Sequence, residues 1–269
     1  MSTLAALCAD LMAEAEALDA MVVDADLRTP TPAPGWDVGD QLSHLAFFDE
    51  AAVAALTEPE DFVVRRPSNA AALAALIDTA TATGRALTDA ELRAWWHRGW
   101  RAVVLAALTR AGHADDARVP WYGPSMSVLS FVTARLMETW AHGQDVADGL
   151  GIVRPGTPRL RHVARLGVLA FANSFRAHGL DVPSEPVRVE LSCDDETWTW
   201  GEPSAGNRVR GQALDFCLVA TQRRHLGDTD LDVTGPVAGR WMSIAQAFAG
   251  PPGPGRAPGQ FKEEPCPHT

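Results

Sequence analysis

LMETWAHGQDVAD (residues 136–148) sets Glu138 and His142 four residues apart and follows them with Asp145. In a helix, positions i, i+4 and i+7 share one face, so these three polar side chains form a stripe. Met137 and Trp140 are apolar enough to bring that helix against a core. Spacing alone leaves two readings open. The helix can be an ordinary amphipathic one whose Glu–His pair makes a surface hydrogen bond, or it can turn a carboxylate and an imidazole inward to hold a metal. Side chains at i and i+4 have Cβ atoms ~5–6 Å apart and can converge on one ion. A third ligand from a neighbouring helix would complete a His₂Glu set with an open position, the arrangement of catalytic zinc sites. Helix-bundle cores are a recurring place for such sites.

The flanking sequence predicts that bundle. Residues 3–25 carry Leu4, Leu11, Ala15, Leu18 and Val22 as an amphipathic stripe. RTPTPAPGW (28–36) is a proline-broken connector that no helix crosses. Asp37 then stands at an N-cap position and predicts a helix over 38–56. Ser68 or Asn69 can cap another helix reaching 83, and a further one is predicted over 88–111, ending at Gly112. VPWYGPSMS (119–127) is a second broken connector, expected to line the entrance of a cavity. Ser125 or Ser127 opens the helix of Glu138 and His142, which stops near Gly149 and Gly151. Residues 158–178 predict one more helix, closed by Gly179. Short connectors between apolar-striped helices predict an up-and-down helical bundle.

After Pro183 the period changes. PVRVELS alternates Val187, Val189 and Leu191 with Arg188, Glu190 and Ser192, as a strand does. Asp194-Asp195 turns the chain into TWTWG, so a hairpin is predicted. GQALDFCLVATQRRH (211–225) reads as a helix, LDVTG (231–235) as a short strand and RWMSIAQAF (240–248) as a helix. The fold class expected is therefore α+β: a bundle domain over 1–180, a small α+β domain over 181–250 and a disordered tail over 251–269.

A chain of 269 residues is long enough to bury a sizeable core. Its formal charge of −11 argues against a sequence-independent grip on nucleic acid or on an anionic membrane. Nearly all positive charge is arginine, Lys262 being the only lysine, so a functional arginine has to be argued from position. Cys8, Cys193, Cys217 and Cys266 are scattered, with no CxxC pair, and suggest neither a disulfide framework nor a thiolate zinc site. The acidic, amphipathic start is not expected to be a signal peptide, and no apolar run approaches ~20 residues. A reducing cytoplasm is the expected compartment; the oligomeric state is not legible.

Among eight histidines, His113, His178 and His268 read as solvated or capping residues, and His97 as a structural partner among tryptophans. His162 and His225 lie beside arginines, which disfavour a cation. His44, in DVGDQLSHLAFF, is flanked by Leu42, Leu45 and Phe48 and points near the bundle interior. Asp40 and Asp145 each lie within a turn of a candidate ligand and could orient an imidazole, with solvation the favoured reading.

Two segments together carry a resemblance. GWDVGDQLSHLAFFDEAA (35–52) resembles the second-helix signature of DinB-like metal-binding bundles, and ETWAHGQDVADGLG (138–151) the fourth-helix signature of their actinobacterial branch. That branch is the mycothiol-dependent maleylpyruvate isomerase family, which joins a four-helix bundle to a small α+β domain. The resemblance implies that His44, Glu138 and His142 are metal ligands, for zinc first, with nickel, cobalt or iron compatible with the same N/O set. It also implies that Arg223, or its neighbour Arg224, in GQALDFCLVATQRR reaches the active site. An arginine favourably placed at a helix C-terminus is the competing reading. A second family arginine, within the bundle, has four candidates (Arg65, Arg66, Arg98 and Arg101), none of them assigned.

What the resemblance implies for chemistry is an enzyme that activates mycothiol as a metal-bound thiolate. The thiolate would serve isomerisation or S-transfer on a small electrophilic substrate. Its partners would be that substrate and the thiol cosubstrate, with Arg223 orienting a carboxylate or polar group. Two alternatives stand beside it: a metal-dependent hydrolase or cyclase without a thiol, and a non-enzymatic metal bundle that binds a small molecule.

Overall fold

In the computed structural model, which describes residues 3–67, 69–111 and 118–261, the chain divides into two compact units, Met1–Arg154 and Pro155–Thr269. The first is helical: α1 (Thr3–Val22), α2 (Val38–Thr57), α3 (Pro59–Arg65), α4 (Ala70–Arg85), α5 (Asp89–Ala111) and α6 (Val128–Gly149). Local chemistry sets the starts. Asp37 caps α2 by accepting from the Asp40 amide, and the Asp40 side chain returns the bond, a capping box. Asn69 accepts from the Ala72 amide at 2.9 Å to start α4, and Ser127 accepts from the Ser130 amide to start α6. The other proposed cap, Ser68, lies outside the described residues, as do Gly112, His113, Lys262, Cys266 and His268.

Helix α2 is central, packing along α5 with α4 and α6 against its other sides, while α1 packs on α6 and α5. Leu18, Val22, Leu42, Leu45, Leu92, Trp96 and Val146 are among the residues that close the core between them. The short α3 was not anticipated. Pro59 starts it and Phe62 is the residue it buries. Asp40 and Asp145, for which solvation was the favoured reading, are both buried instead. Asp40 is held by Arg85, whose Nε and Nη2 donate to its two oxygens at 2.9 and 2.8 Å.

The second unit holds α7 (Leu160–Leu169), α8 (Phe171–Ala177), β1 (Val187–Cys193), β2 (Glu196–Trp200), β3 (Asn207–Gln212), α9 (Ala213–Ala220), β4 (Asp232–Thr234) and α10 (Pro236–Ile244). The sheet order is β2-β1-β3-β4. The anticipated hairpin pairs Val189 with Trp200 and Leu191 with Trp198, antiparallel. Strand β3 runs parallel to β1 and antiparallel to β4. Val189, Leu191, Trp198 and Val209 are buried with Phe216, Cys217 and Trp241, beneath α9 and α10.

Several elements differ from the sequence reading. The helix expected over 158–178 breaks at Ala170 into α7 and α8, and Phe171 packs edge-on against Trp241, centroids 5.2 Å apart. The helix expected over 211–225 is shorter, because its first two residues complete β3 and it ends at Ala220. Helix α10 begins earlier than expected, with Pro236 in its first turn. The chain divides at 154/155 rather than at 180, since α7 packs on α9. Gly167 permits that approach: a Cβ there would lie 3.0 Å from Phe216 and 3.1 Å from Ala220. The described part of the expected disordered tail is anchored, with the Gly259 amide donating to Asp228 at 2.7 Å and Phe261 lying 3.7 Å beneath the Arg224 guanidinium. Among the described residues no helix is long and apolar enough to cross a membrane.

Candidate metal centre

Helices α2 and α6 pack side by side, and each brings polar residues to the shared face. On α6, Arg135, Glu138, His142 and Asp145 recur at three and four residues, a single stripe. On α2 the corresponding stripe is Gln41, His44 and Phe48. His44, Glu138 and His142 converge, with one ligand-capable atom from each within 4.8 Å of the others. The His44 and His142 rings have centroids 4.4 Å apart, and His142 Nε2 lies 3.4 Å from Glu138 Oε2. Burial alone would raise the Glu138 carboxyl. The hydrogen bond that the imidazolium form of His142 donates, with the charges of His142, Arg135 and His44, outweighs it and lowers the carboxyl to about 2.

Two borderline imidazoles and an ionised carboxylate suit a divalent cation of the zinc kind, and three protein ligands leave a coordination position for another molecule. The residues present therefore fit the metal that their spacing suggested.

Aromatic rings wall the cluster. Trp36, from the first connector, lies 6.1 Å from the His142 ring and nearly parallel to it, and 5.3 Å from His44. Phe48 lies 4.6 Å from His44. From the second connector, Tyr122 and Trp121 reach Phe48 at 5.6 and 6.3 Å, and Trp121 stacks flat on Phe62 at 5.7 Å. VPWYGPSMS thus turns its two aromatics toward the wall of the site. Its Pro120 and Gly123–Ser125 face a separate open cleft of about 670 Å³ whose lining excludes the three candidate ligands.

The residues that sequence reasoning missed are polar neighbours on the same two stripes. Gln41 Oε1 lies 2.6 Å from His142 Nδ1. Arg135 is buried and donates from Nε and Nη2 to Asp49 Oδ1 at 3.1 and 2.8 Å, tying α6 to α2. Both stand three residues before a candidate ligand, so the helical spacing that paired Glu138 with His142 could have found them. Of the four bundle arginines considered, Arg66 donates to the Trp121 carbonyl at 2.6 Å and Arg65 pairs with Glu58 at the surface. Arg101 lies over Trp100, and Arg98 is exposed. His97 has the structural partner expected of it, Asp19 at 2.6 Å.

Arg223 belongs to the second unit. It follows the end of α9 and donates from Nη1 to the Thr221 carbonyl at 2.7 Å, a contact of the helix-end kind. Arg224 donates to the Arg223 carbonyl at 2.8 Å.

Residues 4–147 match the family described as the mycothiol maleylpyruvate isomerase N-terminal domain. The chain is 46% identical over 254 residues to an uncharacterized protein of Mycobacterium tuberculosis, Rv0036c in strain H37Rv, covering 92% of this chain and 97% of that one. Its fold matches a crystal structure of the mycothiol-dependent maleylpyruvate isomerase, with a TM-score of 0.61 at 13% identity over 90% of this chain and 96% of that chain. A mutant of that enzyme matches with a TM-score of 0.59 at 14% identity, over 82% and 89%.

Proposed function

The chain belongs to the mycothiol maleylpyruvate isomerase N-terminal domain family, and from that premise we propose that it is a metal-dependent enzyme using mycothiol in isomerisation or S-transfer on a small electrophilic substrate. The observation that carries this reading is the convergence of His44, Glu138 and His142 from two helices. These three would hold a divalent ion, zinc first. When bound, such an ion supplies the positive charge that deprotonates a neighbouring thiol at neutral pH, where a free thiol of pKa about 8.5 is mostly protonated. Glu138, ionised well below neutral pH, offsets part of that charge. Trp36 and Phe48 flank the imidazoles and would exclude water from the reacting sulfur. Arg223 would orient an anionic group of substrate or thiol. None of the thiols among the described residues is needed: Cys8, Cys193 and Cys217 are buried, and burial pushes the Cys217 thiol well above its ordinary range. The reading places the enzyme in a reducing cytoplasm, where its thiol cosubstrate stays reduced.

Elemental analysis tests the core of this reading. Purified protein should carry about one divalent metal per chain, and His44→Ala, Glu138→Ala and His142→Ala should each lose it. Wild-type protein without metal, or variants with unchanged metal, would sink the site. Calorimetric titration of the holo-protein with mycothiol should show binding that disappears on metal removal. Holo-protein that ignores the thiol would overturn the thiol reading in favour of a metal-dependent hydrolase or a small-molecule binder. Arg223→Ala should impair turnover with metal content intact; loss of folding instead would make Arg223 a helix-end residue only.

A further inference from the structure

The first connector, RTPTPAPGW, is closed into a loop by backbone pairing of Pro30 with Asp37. Inside the loop, the Thr31 hydroxyl donates to the Trp36 carbonyl at 2.9 Å. Gln41, wholly buried, lies between that hydroxyl and the metal centre, with Nε2 3.0 Å from Thr31 Oγ1 and Oε1 2.6 Å from His142 Nδ1.

The direction of every hydrogen bond in this chain of groups follows from its far end. A backbone carbonyl can only accept. The Thr31 hydroxyl has one proton and gives it to the Trp36 carbonyl, so toward Gln41 it can only accept. The Gln41 group facing Thr31 must then be the NH₂, which leaves its carbonyl oxygen facing His142. A carbonyl oxygen cannot donate, so the proton of that 2.6 Å contact belongs to His142 Nδ1. When the ring is neutral, Nε2 therefore carries the lone pair, and Nε2 is the nitrogen beside Glu138.

We propose that Gln41 is a positioning residue which, with its amide orientation fixed by Thr31 and the Trp36 carbonyl, holds His142 in the Nδ1–H tautomer and presents Nε2 to a divalent cation. This rests on the reading of His44, Glu138 and His142 as metal ligands. It assigns a second task to the proline-broken connector whose Trp36 already walls the cluster. The loop supplies the acceptor that fixes the Gln41 amide, and the Trp36 ring lying along His142 adds an apolar face to the imidazole that Gln41 orients. Partners of this kind alter metal affinity typically by about 10–100-fold.

The experiment reads cobalt(II) affinity by competition with a chromophoric chelator, together with the visible ligand-field bands of the cobalt protein. Gln41→Leu should weaken cobalt binding by about 10–100-fold and shift the bands. Gln41→Glu, which keeps an acceptor for Nδ1–H, should restore affinity to within a few-fold of wild type, a rescue that loss of packing alone would not give. Thr31→Val, which releases the amide to turn over, should weaken binding by less than Gln41→Leu. A folded Gln41→Leu protein with wild-type affinity and bands would overturn the proposal, as would a Gln41→Glu protein no better than Gln41→Leu. Should Gln41→Leu fail to fold, ¹⁵N NMR of metal-free wild-type protein, at a pH where the ring is neutral, reads the tautomer directly. A protonated Nδ1 on His142 is expected, and a protonated Nε2 overturns the proposal. Wild-type protein that binds no cobalt while showing Nδ1–H would refute the metal reading and leave the hydrogen-bond relay standing, so the two failures are distinguishable.

Discussion

Asp49 sits almost wholly buried against Arg135, and its second oxygen, Oδ2, has no hydrogen-bond partner among the described residues. Gly99 gives it room, since a Cβ there would lie 3.0 Å from the Asp49 Cβ. Burial raises this carboxyl to about 6, and the Arg135 charge and hydrogen bonds only partly counter the shift. Between the ordinary value of 3.8 and about 6, the folded state keeps a proton that the unfolded chain has released. The folded state binds more protons in that window, so the Asp49 contribution to stability is full below it and is lost as pH rises through it. Carboxyl NMR should show Asp49 titrating near 6, and a midpoint at or below 3.8 would refute the assignment. Breaking the pair should cost far more than removing it. Arg135→Met alone leaves a buried unpaired carboxylate and should destabilise by about 3–5 kcal/mol at neutral pH, whereas Arg135→Met with Asp49→Leu should fall near neutral. Urea unfolding from pH 4 to 7 checks both points: the double variant should gain on wild type as pH rises. Spacing and resemblance together led to the expectation that His44, Glu138 and His142 converge, as their side chains do. Spacing could place Gln41 and Arg135 on the ligand stripes but not name their partners, 101 and 86 residues away, and Asp49 read as an ordinary solvated helix residue.

Elements whose start depends on one side chain and a nearby amide were legible. Asp37, Asn69 and Ser127 cap α2, α4 and α6 at the predicted places because capping is local chemistry. Strand β3 was not legible. NRVRGQ buries only Asn207 and Val209, and its pairing with β1 joins residues about twenty apart in the chain, so alternation within the segment is weak. The contact between α2 and α4 was equally hidden. Gly84 lies so close to Ser43 that a Cβ there would stand 2.6 Å from the Ser43 Cβ and nearer still to its hydroxyl. Gly84→Ala would gain roughly 0.5–1 kcal/mol of helix propensity, but the forced separation should cost about 1–3 kcal/mol. The expected outcome is net destabilisation in urea titration; a more stable variant would show that α4 can shift freely on α2.

At the scale of the whole chain, the division at Arg154–Pro155 leaves all three candidate ligands and their polar supports in the first unit. That unit has its own core, from Leu18 and Val22 on α1 to Val146 on α6. A fragment of residues 1–154 should therefore give a cooperative helical unfolding transition and bind one divalent ion per chain; an unfolded fragment would show that the second unit is needed. The sequence revealed the class, a helical bundle followed by a small α+β unit. It placed the boundary late because a helix at 160–169 looks the same whether it packs on α6 or on α9. The long separation between α2 and α6 also sets an order in time. During synthesis at roughly 5–20 residues per second, His44 emerges about 5–20 s before His142, and Asp40 and Asp49 emerge well before Arg85 and Arg135. Until those arginines arrive, α2 carries two carboxylates, buried in the folded protein, whose arginine partners do not yet exist, and the three candidate ligands are complete only once α6 has left the ribosome.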